Sequence, residues 1–204
     1  MDPTRRAFFR QALRKGGEQV VKQADARVAR QASRWIRPPF AIPELEFLLA
    51  CTRCGECISA CPHQVVFPLA ARLGVQVAGT PALDLQTRGC HLCSDWPCVA
   101  ACEAGALARP AEPEPAEEGA APPLPRLARA RLDPAACLPY SGPECGACRD
   151  ACPVPGAMTW EQEKPRIEAS RCVGCGLCRE ACIVEPRAIV IRSLYHEPAS
   201  PSDA

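Results

Sequence analysis

The chain has 204 residues, a formal net charge of +1, 23 prolines, 16 cysteines and only 5% aromatic residues. The near-zero net charge argues against a nucleic-acid partner, and no apolar run reaches the roughly 18 residues of a transmembrane helix. At this length we expect one or two small domains. Because few aromatic side chains are available for a hydrophobic core, we expect metals or disulfides to supply much of their stability.

Residues 1–44 are predicted to form a basic amphipathic helical segment. Apolar side chains recur at mostly helical spacing from Phe9 to Trp35, and arginines and lysines are interspersed among them. Arg37 precedes Pro38, which favours a helix end there. Such a helix suits a membrane surface or a quinone-linked or other protein partner; the alternative is that it only covers the rest of the protein.

The start of this segment is similar to a twin-arginine export motif, with Thr-Arg-Arg-Ala-Phe-Phe-Arg at residues 4–10. An export signal also needs an apolar h-region, whereas residues 11–30 carry charges throughout. We therefore expect a cytoplasmic protein. The alternative is a cytoplasmic protein that associates with a membrane surface.

Four cysteine motifs follow, and they account for every cysteine in the chain. The first and fourth have the C-x2-C-x2-C-x3-C spacing that holds iron–sulfur clusters in bacterial ferredoxins. The second has two extra residues before its third cysteine, and the third has a widened first gap. The motifs consist of Cys51, Cys54, Cys57 and Cys61; Cys90, Cys93, Cys98 and Cys102; Cys137, Cys145, Cys148 and Cys152; and Cys172, Cys175, Cys178 and Cys182.

This pattern predicts four [4Fe–4S] clusters with the sixteen cysteines as iron ligands. A disulfide scaffold would require a secreted protein and rarely groups its cysteines so tightly. Zinc is the stronger rival, but structural zinc prefers two short C-x-x-C knuckles separated by a spacer. A zinc-stabilised interaction module is thus the remote alternative.

The expected fold is α+β, with two bacterial ferredoxin-like modules that each contain two motifs. The modules span residues 45–108 and 126–194, and a Pro/Glu-rich linker at 109–125 joins them. Residues 195–204 are predicted to be a disordered tail. In the second module we expect outer strands near 127–133 and 188–192 to pair and an inner strand near 165–171; in the first module we expect a hairpin within 75–85.

The fourth cysteine of each motif should serve the cluster of the partner motif, as in two-cluster ferredoxins. Sequence leaves two pairings open. In the sequential one, motif one pairs with two and motif three with four; in the nested one, motif one pairs with four and two with three. We favour the sequential pairing because the linker falls between motifs two and three. Cys137 is the least secure ligand, since its gap to Cys145 is unusually wide.

Taken together, these features resemble the NapF-type and NapG/MauM-type ferredoxins of periplasmic nitrate reductase and related systems. The resemblance rests on the Arg5–Arg6 start, on Arg-Pro-Pro-Phe at 37–40 and on the Cys137–Cys145 spacing. It implies a redox enzyme as partner, a molybdenum oxidoreductase among the candidates. NapF-like proteins are implied to assist cytoplasmic enzyme maturation, and NapG-like proteins to pass electrons from quinol after export.

The sequence contains no phosphate-binding loop, no dinucleotide-binding G-x-G-x-x-G and no nucleophile–base pair. We therefore predict an electron-transfer protein and not an enzyme. The alternative is an accessory factor that binds an immature molybdoenzyme.

Overall fold

The computed structural model describes residue 19 and residues 23–110 and 124–196. Six short α-helices and three two-stranded antiparallel sheets lie within these residues. The helices are α1 at 23–32, α2 at Glu44–Ala50, α3 at Glu56–Ser59, α4 at Pro97–Ala100, α5 at Leu138–Ser141 and α6 at Leu177–Glu180. The strands are β1 at Val66–Pro68, β2 at Pro81–Leu83, β3 at Ala128–Leu132, β4 at Met158–Glu161, β5 at Lys164–Ile167 and β6 at Ile189–Ser193.

The second module has the strand pairing expected of a ferredoxin. Outer strands β3 and β6 pair along their whole length, with Ala130 opposite Ile191, and β4 pairs with β5 as the inner hairpin. Ala128, Ile189 and Ile191 are buried because alternate side chains of a strand point to the same face. The predicted outer strands are therefore confirmed. The inner strand is confirmed at 165–167, whereas residues 168–171 lie outside it in a turn.

The first module repeats this plan in reduced form. Its inner hairpin is β1 with β2, and its outer ladder shrinks to one bridge between Ala41 and Leu107. The hairpin expected within 75–85 was wrong, because residues 75–79 form turns and β2 pairs with the earlier β1. The strand β1 begins shortly after motif one, and its short apolar run was not recognised as a strand because it lies so close to the cysteines.

The helix α1 reaches the first module through its last residue. Ala32 is fully buried with Trp35, Val77 and Ala82, and the Ser193 hydroxyl donates a 2.8 Å hydrogen bond to the Ala32 carbonyl. The twin-arginine-like residues, most of the predicted linker and the last eight residues lie outside the described part of the chain.

The larger hydrophobic core contains residues of both modules. Phe47 and Leu85 of the first module and Ile189 of the second are each at most 1% exposed. The cysteines lie around and between these side chains. The core thus holds the cysteine motifs of the two modules close to one another.

Candidate iron–sulfur centres

The third cysteine of three motifs sits on a single-turn helix that begins at a residue with left-handed backbone. Gly55 precedes α3 and Gly176 precedes α6, both with φ of 84°. Glycine adopts this conformation without the Cβ clash that other residues suffer. The tight reversal brings the first three cysteines of the motif around one loop, and the fourth follows the helix.

The structure groups the sixteen cysteines into four quartets, each with three members from one motif and one from its neighbour. Three quartets each line a cavity of their own. In the fourth, Cys61, Cys93 and Cys98 lie close enough to the Cys90 thiol to raise its pKa. Quartet one is Cys51, Cys54, Cys57 and Cys102; quartet two is Cys61, Cys90, Cys93 and Cys98; quartet three is Cys137, Cys145, Cys148 and Cys182; quartet four is Cys152, Cys172, Cys175 and Cys178.

This grouping has the sequential arrangement, in which motif one exchanges its last cysteine with motif two and motif three with motif four. Cys137, the cysteine in the unusual gap, is buried and lines the same cavity as Cys145, Cys148 and Cys182. The helix α5 takes up part of the wide gap before Cys145. The extra residues therefore do not remove Cys137 from its quartet.

The cavities fit an iron–sulfur group by their chemistry. All sixteen cysteines are free thiols, and the lining of the cavities is otherwise almost entirely apolar. Thiolate is the ligand that such clusters use. Within the described residues, no three His, Cys, Asp or Glu side chains are close enough to hold a single metal ion.

The thiols are strongly desolvated. Burial, with a smaller contribution from neighbouring cysteines, raises the pKa of Cys57, Cys90, Cys98, Cys148 and Cys175 to about 11 and that of Cys178 to about 12. Four thiolates cannot share such a space without a cation between them. Binding of iron would therefore displace these protons and place positive charge beside the sulfurs.

Backbone amides donate hydrogen bonds to several sulfurs. Those of Leu92 and Leu177 lower the pKa of Cys90 and Cys175 and so oppose part of the effect of burial. The amide of Leu107 donates to Cys102 Sγ at 3.3 Å. Such hydrogen bonds stabilise the anionic sulfur and tune the potential of a bound cluster.

Family models match the two cysteine regions. A model described as a 4Fe-4S dicluster domain matches residues 129–183, and one described as a 4Fe-4S binding domain matches residues 48–71. Methylamine utilization ferredoxin-type protein MauM of Methylophilus methylotrophus is 35% identical over 92% of this chain and 86% of the relative. Ferredoxin-type protein NapG of Escherichia coli is 34% identical over 93% and 86%.

The chain belongs to the NapG/MauM ferredoxin-type family. NapF of Escherichia coli is also similar, at 30% identity over 76% of this chain and 84% of the relative. No solved structure matches the chain. Its cofactors are [4Fe–4S] clusters, and the two family models together with four groups of four cysteines support four of them.

Three side chains near the cysteine motifs, His63, His91 and Trp96, have defined aromatic partners. His63 and His91 stack at 3.5 Å between ring centroids beside quartet two. Trp96 is buried and packs edge-on against Phe40 with centroids 4.9 Å apart. Trp96 also takes the left-handed backbone position that glycine occupies before α3 and α6. The widened gap of motif two therefore contains the buried side chain of Trp96, directly before α4.

A buried polar network was not anticipated from the sequence. Arg37 donates from Nη1 to the Thr80 hydroxyl at 2.9 Å and to the Pro81 carbonyl at 2.7 Å, and its guanidinium lies 4.4 Å from the centroid of the Phe47 ring. These contacts fix the chain before motif one to the strand β2. The Arg-Pro-Pro sequence, which we interpreted as a helix end and as a family feature, did not indicate this role. The structure describes no helix long and apolar enough to cross a membrane.

Proposed function

We propose that this protein is a carrier of single electrons in which the sixteen cysteines hold four [4Fe–4S] clusters, one in each quartet, and that it serves a redox enzyme. The observation that supports this most is the set of sixteen free thiols, which fall into four quartets with each motif lending its last cysteine to its neighbour. A bound [4Fe–4S] cluster takes up and releases one electron.

The residues around the quartets suit this role. The apolar lining excludes water from the quartets, and backbone amides compensate part of the negative charge on sulfur. At the surface, Cys54 of quartet one is exposed, and Ile183 beside quartet three is 70% exposed. Partners therefore have access to both modules.

The test is anaerobic purification of the full chain with iron, sulfide and zinc analysis, followed by reduction with dithionite. Four clusters predict about 16 irons per chain and a visible absorbance that bleaches on reduction. Stoichiometric zinc without visible absorbance would favour the interaction module, and about eight irons would leave two quartets without clusters.

A second candidate is an accessory factor that binds an immature molybdoenzyme in the cytoplasm. The similarity to NapF supports it, as does α1, on which Arg27 and Arg30 are exposed. Anaerobic capture from the native host, with the full chain and with residues 1–36 deleted, separates the candidates. An unprocessed precursor lost on deletion supports the accessory role; a mature reductase or quinone-linked membrane subunits support the carrier.

A further inference from the structure

Quartets two and four lie at the place where the two modules touch. The amide of Cys90 donates a 2.7 Å hydrogen bond to the carbonyl of Cys175, so one cysteine of each quartet is joined directly through the backbone. The preceding amide, of Gly89, donates to Glu180 Oε2 at 2.7 Å. We call this contact of Gly89 and Cys90 with residues 175–180 the seam.

Side chains reinforce the seam from both modules. Gln86 donates from Nε2 to the Ile191 carbonyl at 2.9 Å, and Arg179 donates from Nε to the Gln86 carbonyl at 3.0 Å. Both bonds connect residues near motif two with residues of the second module. The relative position of quartets two and four is thus set by several independent hydrogen bonds.

Glycine is required for this approach. A Cβ on Gly89 would lie 2.7 Å from the Cα of Leu177 and from its side chain, closer than atoms that are not bonded tolerate. On the other side, a Cβ on Gly176 would lie 3.3 Å from the Cβ of Leu85. The modules therefore meet almost backbone to backbone, and any side chain at position 89 would push them apart.

The sharing of motifs and the seam give an order for the quartets. Motif one contributes cysteines to quartets one and two, and motif three contributes cysteines to quartets three and four, so these quartets are neighbours within each module. The hydrogen bond between Cys90 and Cys175 then places quartet two beside quartet four. The order through the protein is one, two, four, three, which differs from the order of the motifs along the chain.

We propose that the seam is the electron crossing between the two modules, and that Gly89 is the positioning residue that keeps quartets two and four adjacent. One electron passes from a one-electron donor at one outer quartet to a one-electron acceptor at the other, and no bond forms or breaks. This inference rests on the proposed function, and it adds the place where electrons pass from one module to the other.

The test isolates the inner quartets. In the full chain, Cys54→Ser and Cys145→Ser together remove one ligand from each outer quartet. Dithionite-reduced holoprotein of this background should show an electron paramagnetic resonance spectrum split by interaction between two clusters, one in each module. Adding Gly89→Ala should reduce the splitting by at least half at unchanged iron content. The control is Gly105→Ala, which strains a positive φ of 68° but meets no atom within 4 Å; it should leave the splitting intact.

Two independent, non-interacting signals in the background would overturn the proposal, and so would a splitting that survives Gly89→Ala. If Gly89→Ala loses iron, the background spectrum alone decides between interacting and independent clusters. Failure of the proposed function looks different, because dithionite would then produce no cluster signal in the unaltered chain.

Discussion

Arg37 and Glu44 form an ion pair inside the first module. The guanidinium donates to Glu44 Oε2 from Nε at 3.0 Å and to Oε1 from Nη2 at 2.6 Å, with side-chain exposures of 7% and 3%. Trp35 Nε1 donates to the same carboxylate at 3.1 Å. The pair therefore joins the chain that leaves α1 to α2, which leads into motif one.

Removal of one charge from this pair should be strongly destabilising. Glu44→Gln keeps the size of the side chain but leaves the Arg37 cation buried without a counter-charge, which costs about 3–5 kcal/mol. The holoprotein under argon should lose its far-ultraviolet circular dichroism at a clearly lower urea concentration than the unaltered protein.

The matched control is Glu161→Gln. Glu161 pairs with Arg166 at 3.2 Å, but both side chains are about 60% exposed. Water screens such a pair, so its loss should change the free energy of unfolding by less than about 1 kcal/mol. Equal effects of the two substitutions would contradict a structural role for the buried pair.

A second prediction concerns the quartets, each of which contains one cysteine from a neighbouring motif. Cys102 belongs by sequence to motif two but lines the cavity of Cys51, Cys54 and Cys57. Cys102→Ser should therefore alter the same paramagnetic signal as Cys51→Ser, and Cys61→Ser should alter the signal affected by Cys93→Ser. If Cys102→Ser and Cys93→Ser changed one signal in common, each motif would hold its own cluster and the quartets would be wrong.

The features predictable from the sequence are those that depend on residues near one another in the chain. Motif spacing located the cysteines, and the short segments that flank motifs three and four located β3 and β6. The partner of Arg37 could not be predicted, because Thr80 and Pro81 reach it only after the first module folds. The seam was equally hidden, since nothing near Gly89 in the sequence indicates that Leu177 packs against it.

Removal of iron should unfold both modules. The described strands are two to a sheet and three to five residues long, which is marginal for an independent fold. The buried thiols lose their counter-charge with the iron, and the cavities lose their contents. Treatment with an iron chelator under reducing conditions should abolish the sheet signal in circular dichroism. If the iron-free protein kept the protection of its amides from hydrogen exchange, the apolar core alone would be sufficient to maintain the fold.

Two glycines of the cysteine loops should respond differently to alanine. Gly55 and Gly174 both have positive φ, of 84° and 72°, but a Cβ on Gly55 meets nothing within 4 Å, whereas one on Gly174 would lie 2.2 Å from the Ala128 carbonyl oxygen. Gly55→Ala therefore adds only backbone strain of about 1–2 kcal/mol. Gly174→Ala must also displace β3 from quartet four, so the loss should be several-fold larger. Urea unfolding of both holoproteins, with iron content measured beforehand, gives the comparison; equal destabilisation would mean that β3 does not pack against the loop as described.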